Sequence, residues 1–277
     1  MISNNSYSGE PLESFVRRMI SQKGLEEALR QTAYRICPEL ETPFEAVERV
    51  MCVQPHPDDC EYGAGGLIAD LSSRGVRVVY LTLTDGSMGT TDTAISPQNL
   101  AEIRRREQEE AASIMGVSKI VWLGYKDTEL PYSLEARNQV LRVIREEKPD
   151  VVLAPDPWLL YEAHPDHRNA GLLASDAVMF SPLPHVLPAV KPHIIAMIAY
   201  YYTARPNYFH DVSNTLDRKL MALSRHRSQF QQVWAVFEEQ VKALAAAYGQ
   251  LAGKAYAEAF RVLPTSLIHA TPLSELI

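Results

Sequence analysis

Two short runs of this sequence combine histidine and aspartate at matching spacing. His56-Pro57-Asp58-Asp59 sets an imidazole and a carboxylate three residues apart, and His164-Pro165-Asp166-His167 does the same with two imidazoles. A tight turn or a first helical turn aims such a pair at one point, and Pro57 and Pro165 suit the first position of a helix. Two imidazoles, one carboxylate and an open fourth position are a known ligand set for a catalytic zinc ion. A cysteine-rich or all-oxygen set would point to other metals. The acids and imidazoles outnumber what one metal needs, which leaves groups for a base and for stabilising negative charge. Spacing alone leaves open which three are ligands. Asp58 or Asp59 equally suits a helix cap, and His164 a hydrogen-bonded place in the core.

The elements that must position these groups are legible as an alternation. Val50-Met51-Cys52-Val53 reads as a strand running into the first motif, followed by a helix over Tyr62 to Arg74. The strand Val76 to Leu81 precedes a helix from Pro97 to Met115, with Leu100, Ile103, Ala111 and Ile114 on one face. Lys119 to Leu123 is a third strand, Leu134 to Glu147 a helix stopped by Pro149, and Val151 to Ala154 a fourth strand. Such alternation predicts an α/β fold, a Rossmann-like, mostly parallel sheet with helices on both faces. Ile194 to Tyr202 and Tyr208 to Val212 read as added strands. The C-terminal third reads as helical, with Phe230, Val233, Phe237, Val241, Leu244, Tyr248 and Leu251 forming a stripe suited to core packing. One domain over residues 1–277 is expected, with a helical extension over 1–45 and C-terminal helices and tail over 214–277. The prolines between Ser181 and Pro192 read as a plain loop.

In an open parallel sheet, ligands bind at the carboxyl ends of the strands. Four polar clusters fall there: His56 to Asp59, Thr84-Asp85-Gly86, Tyr125-Lys126-Asp127, and Asp156 leading to His167. Other features have plainer readings. Gly63-Ala64-Gly65-Gly66 lacks the third glycine of a dinucleotide loop, which would fall at Ile68. Arg104-Arg105-Arg106 with Gln108, Glu109 and Glu110 looks like a solvated helix face. Ser87 lacks the elbow of a nucleophilic serine. Cys60 is soft enough for a metal, but the helical neighbour of a ligand usually points elsewhere.

Composition bounds the function. The chain has 277 residues, 46% hydrophobic, with 27 basic against 34 acidic side chains and a net charge of −7, which argues against nucleic-acid binding through phosphate contacts. No apolar run approaches the roughly 18 residues of a membrane span. Three cysteines without close pairing predict no disulfide framework. Met1 to Tyr7 shows no basic-then-apolar leader pattern, so a cytoplasmic location is expected.

Taken together, Pro55-His56-Pro57-Asp58-Asp59 and Ala163-His164-Pro165-Asp166-His167 resemble the LmbE-like, or PIG-L, family of zinc-dependent N-acetylglucosaminide deacetylases. Thr84-Asp85-Gly86 through Asp92, Asp127 to Tyr132, Ala154 to Trp158, His226 to Phe230 and the tail from Phe260 are similar to its diacetylchitobiose-deacetylating branch. The resemblance runs from about Val50 to the end of the chain. Cys60-Glu61 follows the two aspartates where many members have glutamate directly, a departure which that branch shares.

The resemblance implies that His56, Asp59 and His167 bind Zn2+ and that Asp58 is the general base. It implies that His164, held by Asp166, stays cationic and stabilises an oxyanion. It also implies that Arg104 leaves the solvated face and, with Asp127, contacts sugar hydroxyls. His269 matches a histidine that reaches into a neighbouring subunit's site, so a homo-oligomer, specifically a hexamer, is expected. The implied reaction removes acetyl from an N-acetylglucosamine unit, most naturally the non-reducing unit of diacetylchitobiose. A deacetylase of a malate- or inositol-linked thiol precursor is the near alternative, though no second basic cluster marks an anion site at a strand end. A non-catalytic sugar-binding protein is the alternative of another class, and a base beside a metal argues against it.

Overall fold

The computed structural model describes residues 10–277, so the reading of Met1–Tyr7 lies outside the described residues. Two N-terminal helices, α1 (Leu12–Lys23) and α2 (Leu25–Ile36), pack on each other and lead into β1 (Arg49–Gln54). The chain then alternates through α3 (Asp59–Ser73), β2 (Arg77–Thr84), α4 (Pro97–Met115), β3 (Lys119–Tyr125), α5 (Leu134–Glu147), β4 (Val151–Pro155) and α6 (Pro165–Phe180). It continues with β5 (Met197–Tyr201), β6 (Tyr208–Asp211), α7 (Leu216–Leu223), α8 (Arg227–Phe230), α9 (Trp234–Ala252), β7 (Ala257–Pro264) and α10 (Leu273–Leu276).

The seven strands form one sheet in the order β3-β2-β1-β4-β5-β7-β6. From β3 to β5 all pairs are parallel, and β7 runs antiparallel to both β5 and β6. The α/β fold is therefore as the alternation predicts. Strand order reverses between β1 and β4, which is where such sheets open a crevice at the carboxyl ends. Both strands are buried on both faces and read as continuous apolar runs for that reason.

Several expectations give way here. The C-terminal third is not wholly helical, because β7 inserts into the sheet beside β5. Its Ala257-Glu258-Ala259 start is built of helix formers, so local propensity hides it. The helical stripe after Phe230 is split. Val241 is buried against Leu216, Leu220 and Leu223, with Phe230 and Phe237 packed alongside, whereas Val233, Leu244 and Leu251 are exposed. The small residues Ala245 and Gly249 are what let α9 approach; a Cβ on Gly249 would fall 2.7 Å from the Ala255 carbonyl oxygen. Cys52 and Cys60 are joined as a disulfide, their Cα atoms 6.2 Å apart, because β1 leads directly into the first turn of α3 beside it. Cys37 stays free and buried.

The glycine run in α3 serves packing. A Cβ on Gly63 would overlap the Tyr201 ring and one on Gly66 would overlap Val212. The helix bends at Ala64 (φ −142°), and Glu258 of β7 accepts the backbone N–H groups of Gly66 and Leu67 at 2.8 Å. Lys219 closes the arrangement with a 2.7 Å ion pair to Glu258. No helix among the described residues is long and apolar enough to cross a membrane.

Candidate metal-dependent active site

The chain leaves β1 through Pro55 and reaches Asp58, whose backbone adopts φ +116°, before α3 begins at Asp59. A non-glycine residue with φ this far into the positive region is uncommon and tends to occur at functional sites. The consequence is that the two neighbouring aspartates face different partners. Asp59 turns to the histidines, its Oδ2 3.4 Å from His56 Nδ1 and its Oδ1 3.5 Å from His167 Nε2. Asp58 turns away, its Oδ2 accepting from Arg104 Nη2 at 3.0 Å.

His56, Asp59 and His167 thus offer one donor atom each to a common point, within 4.8 Å of one another. The far side of each imidazole is backed by acid. His56 Nε2 lies 3.1 Å from Asp127 Oδ1 and 3.3 Å from Asp166 Oδ2, and His167 Nδ1 faces Glu162 Oε2 at 3.4 Å. Carboxylates in that position fix the tautomer of a metal-ligating histidine and strengthen it as a ligand. A second group, His56, Asp127, His164 and Asp166, also falls within 4.8 Å. Its acids are already engaged: Asp166 accepts from the backbone N–H groups of Thr128 and Leu130, and Asp127 from that of Met88. Of these two groups that could hold a divalent ion, His56, Asp59 and His167 is the one that combines two imidazoles with a single carboxylate.

Burial works against charge throughout the site, and neighbours decide the balance. Burial pushes Asp58 up to about 6 despite the nearby Arg104 charge, with the Asp59 charge adding to the rise. Burial would raise Asp59 too, but the charge of His167 and the bonds and charge of His56 hold it below the usual carboxylate range. His56 is raised well above an ordinary histidine, since Asp127, Asp166 and Asp59 outweigh its burial.

His164 stands at the N-terminus of α6. The Asp166 carboxylate backs His56, and what reaches His164 is the Asp166 backbone N–H, donating to Nδ1 at 3.2 Å in a helix cap. The carboxylate facing His164 Nε2 is that of Asp127, at 4.0 Å. A ring that accepts at Nδ1 cannot carry a proton there, so this geometry favours neutral imidazole with the proton on Nε2. Burial, with the His56 and His167 charges, likewise lowers its pKa.

Arg104 enters the crevice while its neighbours stay on the solvent face. It donates to the carbonyl oxygens of Pro57 (2.6 Å) and Gly86 (3.1 Å), whereas Arg105 pairs with Glu109 and lies over Trp122. A Cβ on Gly86 or Gly89 would fall 2.8 or 2.7 Å from the guanidinium, so the two glycines of the Gly86–Gly89 loop make its room. Gln108, one turn further along α4, accepts from the Asp58 backbone N–H at 3.0 Å and donates to buried Glu61 at 2.8 Å. His269 is exposed, in the turn between Thr265–Leu267 and α10. Sequence reasoning missed Glu162 and Gln108, which carry no motif signal, and Tyr202, whose ring lies beside His167.

The chain is similar to known deacetylases. The PIG-L family profile, GlcNAc-PI de-N-acetylase, matches residues 51–178, from β1 through most of α6. The diacetylchitobiose deacetylase of Thermococcus kodakarensis is 44% identical over 258 residues, covering 91% of this chain and 97% of that one. The solved N,N'-diacetylchitobiose deacetylase from Pyrococcus horikoshii, complexed with its inhibitor, superposes with a TM-score of 0.86 at 45% identity, over 91% of this chain and 97% of that one. A Bacillus cereus protein named "Probable N-acetyl-alpha-D-glucosaminyl L-malate deacetylase 2" is 30% identical over 185 residues, covering 65% of this chain and 83% of its own. With near-complete coverage at this identity and the site assembled at the sheet's switch point, the chain belongs to the LmbE-like, or PIG-L, family of deacetylases.

Proposed function

We propose that this chain is a zinc-dependent N-deacetylase that hydrolyses the acetamide of an N-acetylglucosamine unit, the non-reducing unit of diacetylchitobiose. The observation that carries the reading is the division of labour between adjacent aspartates, one facing two histidines and the other free of them and gripped by Arg104. The similarity to diacetylchitobiose deacetylases over nearly the whole chain supports the substrate.

A zinc ion held by His56, Asp59 and His167 would supply Lewis acidity to the acetyl carbonyl and to water. Asp58 takes the proton from the water attacking the acetyl carbon. It then delivers that proton to the sugar nitrogen as the C–N bond breaks, so one water is consumed and acetate and a free amine leave. Arg104 holds the Asp58 carboxylate in place. His164 donates its Nε2–H to the carbonyl oxygen as negative charge develops there, oriented by the helix cap at Nδ1. Arg104 and Asp127 line the same crevice as groups for sugar hydroxyls. The chain works as an oligomer, a hexamer by family resemblance, with exposed His269 reaching a neighbouring copy's site. The exposed apolar residues Val236, Leu244 and Leu251 along α9 support association.

The test is acetate release from diacetylchitobiose, N-acetylglucosamine and a malate-linked N-acetylglucosamine, each with and without a chelator. Chelator-sensitive release, fastest on diacetylchitobiose, is the expected result. Faster turnover of the malate conjugate would keep the chemistry and reassign the substrate. No release from any of them by metal-loaded protein would overturn the reading.

A further inference from the structure

Tyr200 and Tyr201 end strand β5, and Tyr202 follows directly to make three consecutive tyrosines. Successive side chains of a strand point to opposite faces of the sheet, so Tyr202 is expected opposite Tyr201. It is not. Tyr202 adopts φ +57°, a conformation uncommon for any residue but glycine, and its ring meets that of Tyr201 edge-on at 4.7 Å. Both tyrosines therefore face the start of α3. Tyr201 uses its hydroxyl for the carbonyl oxygen of Val53 in β1, at 2.8 Å, and its ring fills the notch left by Gly63.

The redirected Tyr202 touches two of the three candidate metal ligands at once. Its hydroxyl donates to Asp59 Oδ1 at 3.1 Å, with the Asp59 carbonyl oxygen 3.3 Å away. Its ring stacks on that of His167, with centroids 5.9 Å apart and planes 15° from parallel. The other oxygen of Asp59 is taken by the His56 backbone N–H at 3.0 Å. The carboxylate is thus gripped from both edges, by its own turn on one side and by Tyr202 on the other. Ring packing alone would need neither the hydroxyl nor a left-handed backbone, since an ordinary strand end would bury an aromatic equally well.

We propose that Tyr202 is a positioning residue for the metal centre, fixing the plane of Asp59 and the ring of His167 so that the donor set is formed before the ion arrives. The proposal rests on the reading of His56, Asp59 and His167 as ligands. Tyr202 is not a catalytic residue, because it acts only through Asp59 and His167.

The test uses metal-free full-length protein titrated with zinc against a chromophoric chelator, together with the visible spectrum of the cobalt-substituted form. Tyr202→Phe should weaken zinc affinity by about 10- to 100-fold, the usual loss when a group orienting a ligand is removed, and should shift the cobalt bands. Tyr201→Phe is the control: it removes a buried tyrosine hydroxyl one residue away that touches no ligand. It should lower the unfolding midpoint while leaving affinity and spectrum unchanged. Tyr202→Phe with wild-type affinity and an unaltered cobalt spectrum would overturn the proposal. Equal affinity losses in both variants would overturn it too, by showing a general packing effect. Failure of the wild type itself to bind zinc would instead bring down the metal reading on which the proposal stands.

Discussion

Arg104 and Asp58, 46 residues apart in the chain, meet through a 3.0 Å contact between Nη2 and Oδ2, with the arginine almost wholly buried. The guanidinium also holds the Pro57 and Gly86 carbonyl oxygens, so it fixes the turn that carries Asp58 as well as the carboxylate itself. Arg104→Met should therefore lower kcat by about 10²-fold, the scale of loss when a reacting group is displaced by around 1 Å. Arg104→Lys should recover little, since one ammonium cannot span three acceptors placed for a planar fork. Metal content, measured after dialysis, should stay at the wild-type level in both. A variant with unimpaired kcat would show that Asp58 needs no external support.

Loss of the base and loss of a metal ligand should separate cleanly on mutation. Asp58→Asn removes the base but none of the groups facing His56 and His167, so it should retain metal and lose about 10²-fold or more in turnover. His167→Ala removes a donor atom and should lose the ion itself, with activity following metal content. Elemental analysis beside acetate release distinguishes the two. Loss of metal from Asp58→Asn would place that residue among the ligands.

Most of the site was legible because four of the five parallel strands end in their own polar cluster and the fold brings those ends together. What was hidden depends on contacts that spacing cannot express. Arg104 sits in a run of three arginines, and only its burial among Gly86 and Gly89 distinguishes it from Arg105 on the solvent face. Asp166 has the expected position, but its carboxylate lies against His56 while its backbone N–H donates to His164, the cap of α6. Cys52 and Cys60 are eight residues apart, a spacing that marks a pair only once β1 is known to lie beside the first turn of α3. Tyr202 was unreadable for a backbone reason, since strand alternation assigns it to the wrong face.

The proline-rich segment after α6, plain in the sequence, is organised around one buried cation. Arg145 of α5 donates to the carbonyl oxygens of Phe180, Ser181, Leu183, Val186, Leu187 and Val190 at 2.6 to 3.1 Å. Burial lowers its pKa, yet its charge is spread over carbonyl dipoles that would otherwise be unsatisfied. Arg145→Met should cost about 3 kcal/mol or more, because even a single buried acceptor left unpaired costs about 1–3 kcal/mol. Denaturant unfolding measures the loss, and limited proteolysis should now cut within 181–192. A change below about 1 kcal/mol, the cost of a weak single bond, would mean that the loop holds itself.

His210 of β6 should make stability depend on pH. It is partly buried beside Phe44 and Tyr208, with Nε2 3.3 Å from Asp70 Oδ2. Burial lowers its pKa, assisted by the Arg74 charge, and outweighs the opposing pull of Glu258 and Asp70. A histidine whose folded pKa lies below its unfolded value of about 6.5 binds protons more readily once unfolded. Its contribution is therefore fully present above that value and is lost as pH falls through the folded pKa. His210→Phe removes this titration while keeping an aromatic ring beside Phe44. Between pH 7.5 and 5.5 (about one unit either side of the unfolded value), the variant's urea midpoint should fall less than the wild type's. Equal falls would show that the pull of Asp70 and Glu258 cancels the effect of burial, leaving His210 with the same pKa folded as unfolded.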